Sequence, residues 1–282
     1  MWDLVETTLM FGCLYTLIVI STWITSILLR YDDLSLEAAF GFGGALQARL
    51  FLYGFSPITS LIIVLITGPC VGAFTGFLHL FLGLNNVLTG IIVVSIFFSI
   101  NMFIGTVNMS VIQYKNIFSM LPGVATSTAT LLILFSIALA ILIFTSWLLT
   151  TQIGLLMRAT GSNPLLVTHL GKSPRRYFFF SLMLAHMFTA LAGALFVQHT
   201  GYYSISSNIG ILVIALTGLM IARSLSKRLG IELLIGSCAY QAIIAFTLHL
   251  QIDPNWSRFI TAFLLIALIS LQRKSDAHSQ QY

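Results

Sequence analysis

The sequence predicts an all-α polytopic membrane protein with about 8–9 transmembrane helices, one of them open to a break, plus a short helix on the cytoplasmic surface. Three observations carry that prediction. Only 7% of the 282 residues are charged and 58% are hydrophobic, whereas a soluble domain carries about 25% charged residues. So little charge cannot solvate a globule, and lipid is the expected solvent. The apolar residues also fall into runs near the roughly 20 residues that a helix needs to cross a bilayer. Finally, the net charge of +5 comes from basic residues clustered beside the ends of those runs. That pattern fits the positive-inside rule and argues against a nucleic-acid partner.

Taken in order, the runs lie near 7–29, 38–55, 57–82, 87–104, 128–150, 176–199, 208–223, 231–250 and 256–271. The second contains Gly41, Gly43 and Gly44 and the seventh is short, so these two are where a broken helix is expected. Residues 1–282 read as a single transmembrane domain. The basic stretch 157–176, the cluster Arg223, Lys227 and Arg228, and the tail residues Arg273 and Lys274 should all face the cytoplasm. Nine crossings then put the N-terminus, with Asp3 and Glu6, outside and Arg30 inside. The acidic start MWDLVETT does not read as a cleavable signal peptide. The outer segment 105–127 has turn signals at Gly105 to Asn108 and at Leu121-Pro122-Gly123. With Ile117, Phe118 and Met120 it is too apolar for free loop, and a re-entrant or interfacial helix is expected. Cys13, Cys70 and Cys238 lie inside apolar runs and read as core thiols. Gly44-Ala45-Leu46 and Gly193-Ala194-Leu195 are each followed, at nearly the same interval, by a Thr-Gly pair. This is a weak echo of the internal repeats common in transporters.

Several patterns that suggest catalysis do not complete their chemistry. Gly171-Lys172-Ser173 resembles the end of a phosphate-binding loop, but position 166 is Leu where that loop needs a bare-backbone Gly, and Pro174 follows. Any ATP-driven role therefore requires another subunit. Asp32, Asp33 and Glu37 lack the second acidic cluster that a magnesium–diphosphate site demands. His79, His186, His199 and His249 show no metal-ligand spacing, so neither an enzyme nor a cofactor is expected. A histidine within a span is a functional hypothesis by default, yet His186, close to Met183 and Met187, reads rather as a packed, hydrogen-bonded side chain. Arg49 could meet a substrate carboxylate or snorkel to the outer interface. Asn101 and Asn108 are path candidates, because an amide at membrane depth must find a partner, and helix–helix adhesion would satisfy that need as well.

The segment from Met157 to Arg176 holds four of the 13 Lys and Arg residues, between two apolar runs. Within the loop at about 151–176, Arg158 and Gly161-Ser162-Asn163-Pro164 predict a turn and then a helix start. Asn163 serves as the cap and Pro164 as the first helical residue. Leu165, Leu166, Val167 and Leu170 supply an apolar stripe, and Gly171 supplies the stop. A stripe that short buries little against lipid, which favours a groove on a partner protein.

Three blocks, in order, carry a family resemblance. RATGSNPLLVTHLGKSPRR (158–176) with ALAGALFVQHTGYYS (190–204) resembles the permease subunits of branched-chain amino acid type ATP-binding cassette importers, most closely their tryptophan/tyrosine uptake branch. LLRYDDLSLEAAFGFGGAL (28–46) and LNNVLTGIIVVSIFFSINMFIGTVNMSVI (84–112) resemble two further blocks of that branch. The resemblance implies a bacterial plasma-membrane permease that forms the path for an amino acid or similar small polar solute. It implies partners: a separate ATP-binding subunit, an extracytoplasmic solute-binding protein, and a second permease or a second copy of this chain. It also implies that the loop is the ATPase-coupling helix, with Arg158, Gly161, Asn163, Pro164 and Gly171 at the matching positions, while Asp33, Glu37, Asn101 and Asn108 are expected near the translocation path. Glu37-Ala38 and Ala222-Arg223-Ser224 depart from the family pattern, which bears on substrate more than on coupling. The competing class is an ion-driven secondary transporter, which should place acidic or unwound carbonyl ligands near the midplane.

Overall fold

The structure, a computed structural model, describes residues 2–120, 126–225, 230–250 and 256–279. The expected turn at Leu121-Pro122-Gly123, the residues Lys227 and Arg228, and the short loop 251–255 lie outside the described residues, as do the side chains of Arg273 and Lys274.

Helix α1 (Trp2–Thr22) runs on into a π-helical turn, Trp23–Leu28. It is followed by α2 (Leu36–Leu52), α3 (Pro57–Thr67), α4 (Pro69–Leu82) and α5 (Asn86–Gly105). After strand β1 (Asn108–Ser110) and a 3-10 turn, Ile117–Met120, come α6 (Thr126–Thr150), α7 (Gln152–Ser162), α8 (Pro164–His169) and α9 (Pro174–Thr200). Strand β2 (Tyr202–Ser204) and the 3-10 turn Ile205–Asn208 lead to α10 (Ile211–Leu225), α11 (Glu232–His249) and α12 (Ser257–Ser279). The described residues are thus all-α apart from one antiparallel pair, in which Asn108 faces Ser204 and Ser110 faces Tyr202.

Helices α1, α2 and α9 form the centre. Leu14, Leu17, Ile18 and Ile20 of α1, Ala38, Ala39, Ala45 and Ala48 of α2, and Ala185, Ala190, Ala192 and Ala194 of α9 are all buried. Lipid tails are as apolar as leucine, so helices in a bilayer associate through close packing of small residues. The crossing of α2 with α9 shows this directly. A Cβ added at Gly43 would collide with the Ala190 carbonyl, and one added at Gly193 would collide with the Phe40 carbonyl. The two Gly-Ala-Leu stretches therefore meet face to face at one helix crossing. Around this centre, α4 packs on α9, α5 on α2, α6 on α1, α11 on α1 and α10, and α12 on α10. The peripheral helices turn large apolar side chains outward: Ile66, Phe81, Phe103, Ile143 and Phe263 are all exposed. In water such a surface would aggregate, whereas lipid solvates it.

Six helical segments among the described residues are long and apolar enough to cross a membrane: Leu4–Leu28, Pro57–Leu82, Asn86–Gly105, Ser127–Thr150, Pro174–Thr200 and Ile205–Leu225. Shorter apolar stretches occur at Glu232–Thr247 and Phe259–Ser270, and α2 has 17 residues. The structure makes two corrections. The glycine-rich α2 is continuous, because its glycines serve close packing rather than a break. One interruption falls in the seventh run, before α10, where Gly210 has a φ of +85°, and another at Gly68-Pro69, where none was expected and Pro69 has no amide hydrogen to donate. The segment 105–127, expected to hold a re-entrant or interfacial helix, has β1 and a 3-10 turn among its described residues, and its apolar side chains Val111 and Phe118 are buried.

Candidate functional site

The basic loop folds as two helices rather than one. The residues read as loop and turn, 152–162, form α7, opened by Thr151, whose hydroxyl accepts from the Gly154 amide at 3.4 Å. The chain turns at Asn163. As expected, the Asn163 side chain caps α8, accepting from the Leu166 amide at 3.3 Å, with Pro164 in the first position. Gly171 takes a φ of +71°, and the Gly171 and Lys172 amides close the end onto the Thr168 and Val167 carbonyls. Val167 is buried, whereas Leu165 and Leu170 are 70% and 59% exposed, so the unpartnered apolar stripe faces away from the bundle. Gly161 holds the loop in place: a Cβ there would strike the Leu28 carbonyl at the end of the π turn. Gly154 seats α7 in the same way on the Leu148 carbonyl at the end of α6. Arg158 does not point along the stripe; it lines a cavity beside Arg30.

The path candidates separate into two groups. Glu37, Asn101 and Asn208 gather around one face of α2. Glu37 Oε1 accepts from the Gly210 amide at 3.0 Å and the Leu212 amide at 3.4 Å, placing a carboxylate at the positive end of α10. Asn208 Nδ2 donates to the Glu37 carbonyl at 3.3 Å, and Asn101 Nδ2 donates to the Ala38 carbonyl at 3.4 Å. Gly41 leaves room for both amides, since a Cβ there would touch each of them. Two polar atoms on this side are buried without a protein partner: Asn101 Oδ1 and the Tyr203 hydroxyl. The Tyr203 ring lies between Gly44 and Gly105, and burial pushes its phenol up to about 12. It therefore stays a neutral donor at physiological pH. Asn108 joins this region only through the backbone, as the β1 residue opposite Ser204, and is itself exposed.

Asp33 lies apart, in a buried knot that ties the start of α2 to α4 and α9. Its Oδ1 accepts from the Ser35 hydroxyl at 2.5 Å and the Ser35 amide at 2.9 Å. Ser35 Oγ also lies 2.8 Å from His186 Nε2 and 2.9 Å from Thr75 Oγ1. His186 Nδ1 is 2.8 Å from the Leu182 carbonyl and must carry a hydrogen to bond it. Reasoning from sequence missed Ser35, Thr75, Asn208 and Tyr203, because nothing in a local pattern pairs a serine with a histidine 151 residues away.

Other residues correct their expected roles. Arg49 takes a third course: its Nε donates to the Ile104 carbonyl at 2.5 Å, satisfying the C-terminal end of α5. Cys13 is buried, but Cys70 is exposed and Cys238 is half-buried; all three are free thiols. Among the described residues no group of three His, Cys, Asp or Glu side chains could hold a metal ion.

A bundle with a lipid-facing surface, buried polar groups along a central helix and a surface loop with unpaired leucines defines a multi-pass membrane transport component. The chain belongs to the family described as branched-chain amino acid transport system / permease component, whose model matches residues 4–269. It is 26% identical over 261 residues to a tyrosine transport system permease protein of Clostridioides difficile (strain R20291), covering 90% of this chain and 86% of the relative. It is also 26% identical over 268 residues to an uncharacterised protein of Rickettsia prowazekii (strain Madrid E), covering 91% and 94%. No solved structure matches. The chain is therefore the transmembrane permease subunit of an ATP-binding cassette importer, a class that works with ATP-binding partner subunits.

Proposed function

We propose that this permease carries an amino acid, of the size and polarity of tyrosine, along the Gly41 face of α2, driven by an ATPase docked on α8. The name of the C. difficile relative supports the substrate class. The observation that carries the coupling reading is the exposed Leu165–Leu170 stripe on a helix whose base is locked to α1 and α6 through Gly161 and Gly154. A rigid seat of this kind transmits movement of the docked partner to the bundle as a rigid-body displacement. Arg158, Gly161, Asn163, Pro164 and Gly171 build that element. Glu37, Asn101 and Tyr203 form the polar wall of the path, with Asn108 at its outer rim and Asp33 holding the α2 entry in position. The N-terminus lies outside and the C-terminus in the cytoplasm. α2, α11 and α12 cross as well, giving nine spans, with a solute-binding protein above and a second permease copy alongside.

Ion-driven transport is the competing mechanism. Asp33 and Glu37 do turn inward, and Asp33 Oδ1 and Glu37 Oε1 accept from the chain's own donors while Asp33 Oδ2 has no hydrogen bond among the described residues; the family match is what supports ATP coupling. The test is uptake in proteoliposomes with and without the ATPase subunit. Accumulation against a gradient by the permease alone would overturn the proposal. Gly161→Trp should insert normally yet leave ATP hydrolysis uncoupled from uptake, and normal uptake by that variant would sink the docking assignment.

A further inference from the structure

A cavity of about 790 Å³ opens where the π turn, the end of α6 and α7 meet. Its apolar wall consists of Trp23, Ile27, Leu28, Leu149 and Leu155, and its charged wall of Arg30 and Arg158. No carboxylate lines it, and neither guanidinium has an ion-pair partner among the described residues. Arg30 is held at a φ of +56°, a left-handed conformation that a non-glycine residue reaches at a cost of about 1–3 kcal/mol. It directly follows the stretch of π helix and Leu29, and such π segments are frequent at functional sites.

We infer that this cavity is a binding site for the headgroup of an anionic phospholipid from the cytoplasmic leaflet. The chemistry points to a lipid rather than to an acidic protein segment. A phosphodiester needs paired guanidinium donors, and the attached acyl chains need the apolar surface beside them. That surface is present: Leu155 in the cavity wall is 55% exposed, and Trp147 and Ile153, at the end of α6 and the start of α7, are 61% and 45% exposed. An acidic loop of the ATPase would satisfy the arginines but leave this apolar skirt uncovered. The site rests on the orientation proposed above, with the Arg30 end facing the cytoplasm, and needs no ATPase. Its position against Leu28 and Gly161 places the lipid at the seat of the coupling helices, where occupancy would stiffen the contact between α7 and α1.

The test is native mass spectrometry of the delipidated, purified permease titrated with phosphatidylglycerol or phosphatidylcholine. Two guanidiniums beside an anionic headgroup predict a preference for phosphatidylglycerol of roughly thirtyfold. The R30Q/R158Q variant should lose that preference, R30K/R158K should recover part of it, and K172Q should keep it whole. Equal retention by wild type and R30Q/R158Q, or equal binding of the two lipids, overturns the site. Full displacement by inorganic phosphate, with L155N binding lipid as well as wild type does, would assign a free-anion site and overturn the lipid. Displacement of the lipid by the added ATPase subunit would give the cavity to that protein instead. Each of these results leaves the importer reading intact, since uptake is measured separately.

Discussion

Ser35 has one hydroxyl proton and three polar partners, at 2.5, 2.8 and 2.9 Å. Thr75 gives its own proton to the Val71 carbonyl at 3.0 Å. The Asp33 and His186 contacts therefore converge on one hydroxyl, and the members of the knot act as a unit. Ser35→Ala should cost about 1–3 kcal/mol, the range for stranding buried polar partners. His186→Phe should also cost about 1–3 kcal/mol, since it removes the ring nitrogen that meets Ser35 Oγ and lies 3.6 Å from Asp33 Oδ2. In a double-mutant cycle with Asp33→Asn, read by unfolding in mild detergent, the effects of the two sites should be non-additive by about 1–3 kcal/mol. Simple additivity would show that the contact carries no energy. Tyr203→Phe is a contrasting case. Its hydroxyl has no protein partner, so its loss should leave the thermal midpoint nearly unchanged while raising the KM for uptake. An unchanged KM would place that hydroxyl off the path.

Helix ends govern the next scale. Glu37 closes the N-terminus of α10 from a different helix, so the charge and the acceptor oxygen can be separated by substitution. Glu37→Gln keeps an acceptor and should cost about 1 kcal/mol of dipole interaction, whereas Glu37→Ala loses both and should cost more. A stability order other than wild type, Gln, Ala would contradict the capping assignment. The packing of α2 on α9 depends on glycine at a close approach. Gly43→Val must push against the Ala190 backbone and should destabilise the fold by about 1–3 kcal/mol or more. The cap and stop of α8 were legible in the sequence because Asn163-Pro164 and Gly171 are local signals that act within a few residues. α7 was not legible as a helix: its Gly161 and Ser162 read as turn formers, and Gly154 carried no signal of its own. The glycines are there because backbone from α6 and from the end of α1 approaches too closely for any side chain.

For the whole molecule, orientation and assembly are the quantities to measure. A fluorescent protein fused to the C-terminus should be bright, since green fluorescent protein folds in the cytoplasm and not after export in unfolded form. A dark fusion in a well-expressed, folded permease would reverse the proposed topology. The spans themselves were legible wherever an apolar run is long and uninterrupted, as at Asn86–Gly105 and Ser127–Thr150. They were blurred wherever hydropathy runs across a change of backbone. The stretch 57–82 is apolar throughout yet its helix is interrupted at Gly68, and 208–223 includes Asn208 to Gly210, which are not α-helical.

Composition and local pattern were enough to determine that this chain lives in lipid, that it is helical, where its basic loop lies, and how α8 begins and ends. These properties depend on transfer of side chains from water and on hydrogen bonds within a turn or two of chain. Only the tertiary structure decided which helices are central, that the two Gly-Ala-Leu stretches cross each other, and that Asp33 belongs with His186 while Glu37 belongs with α10. It also set Arg158 and Arg30 in one cavity. Such pairings join residues far apart in sequence. They are settled by which backbones can approach each other and which buried polar groups remain to be satisfied, and neither quantity is written in any local run of residues.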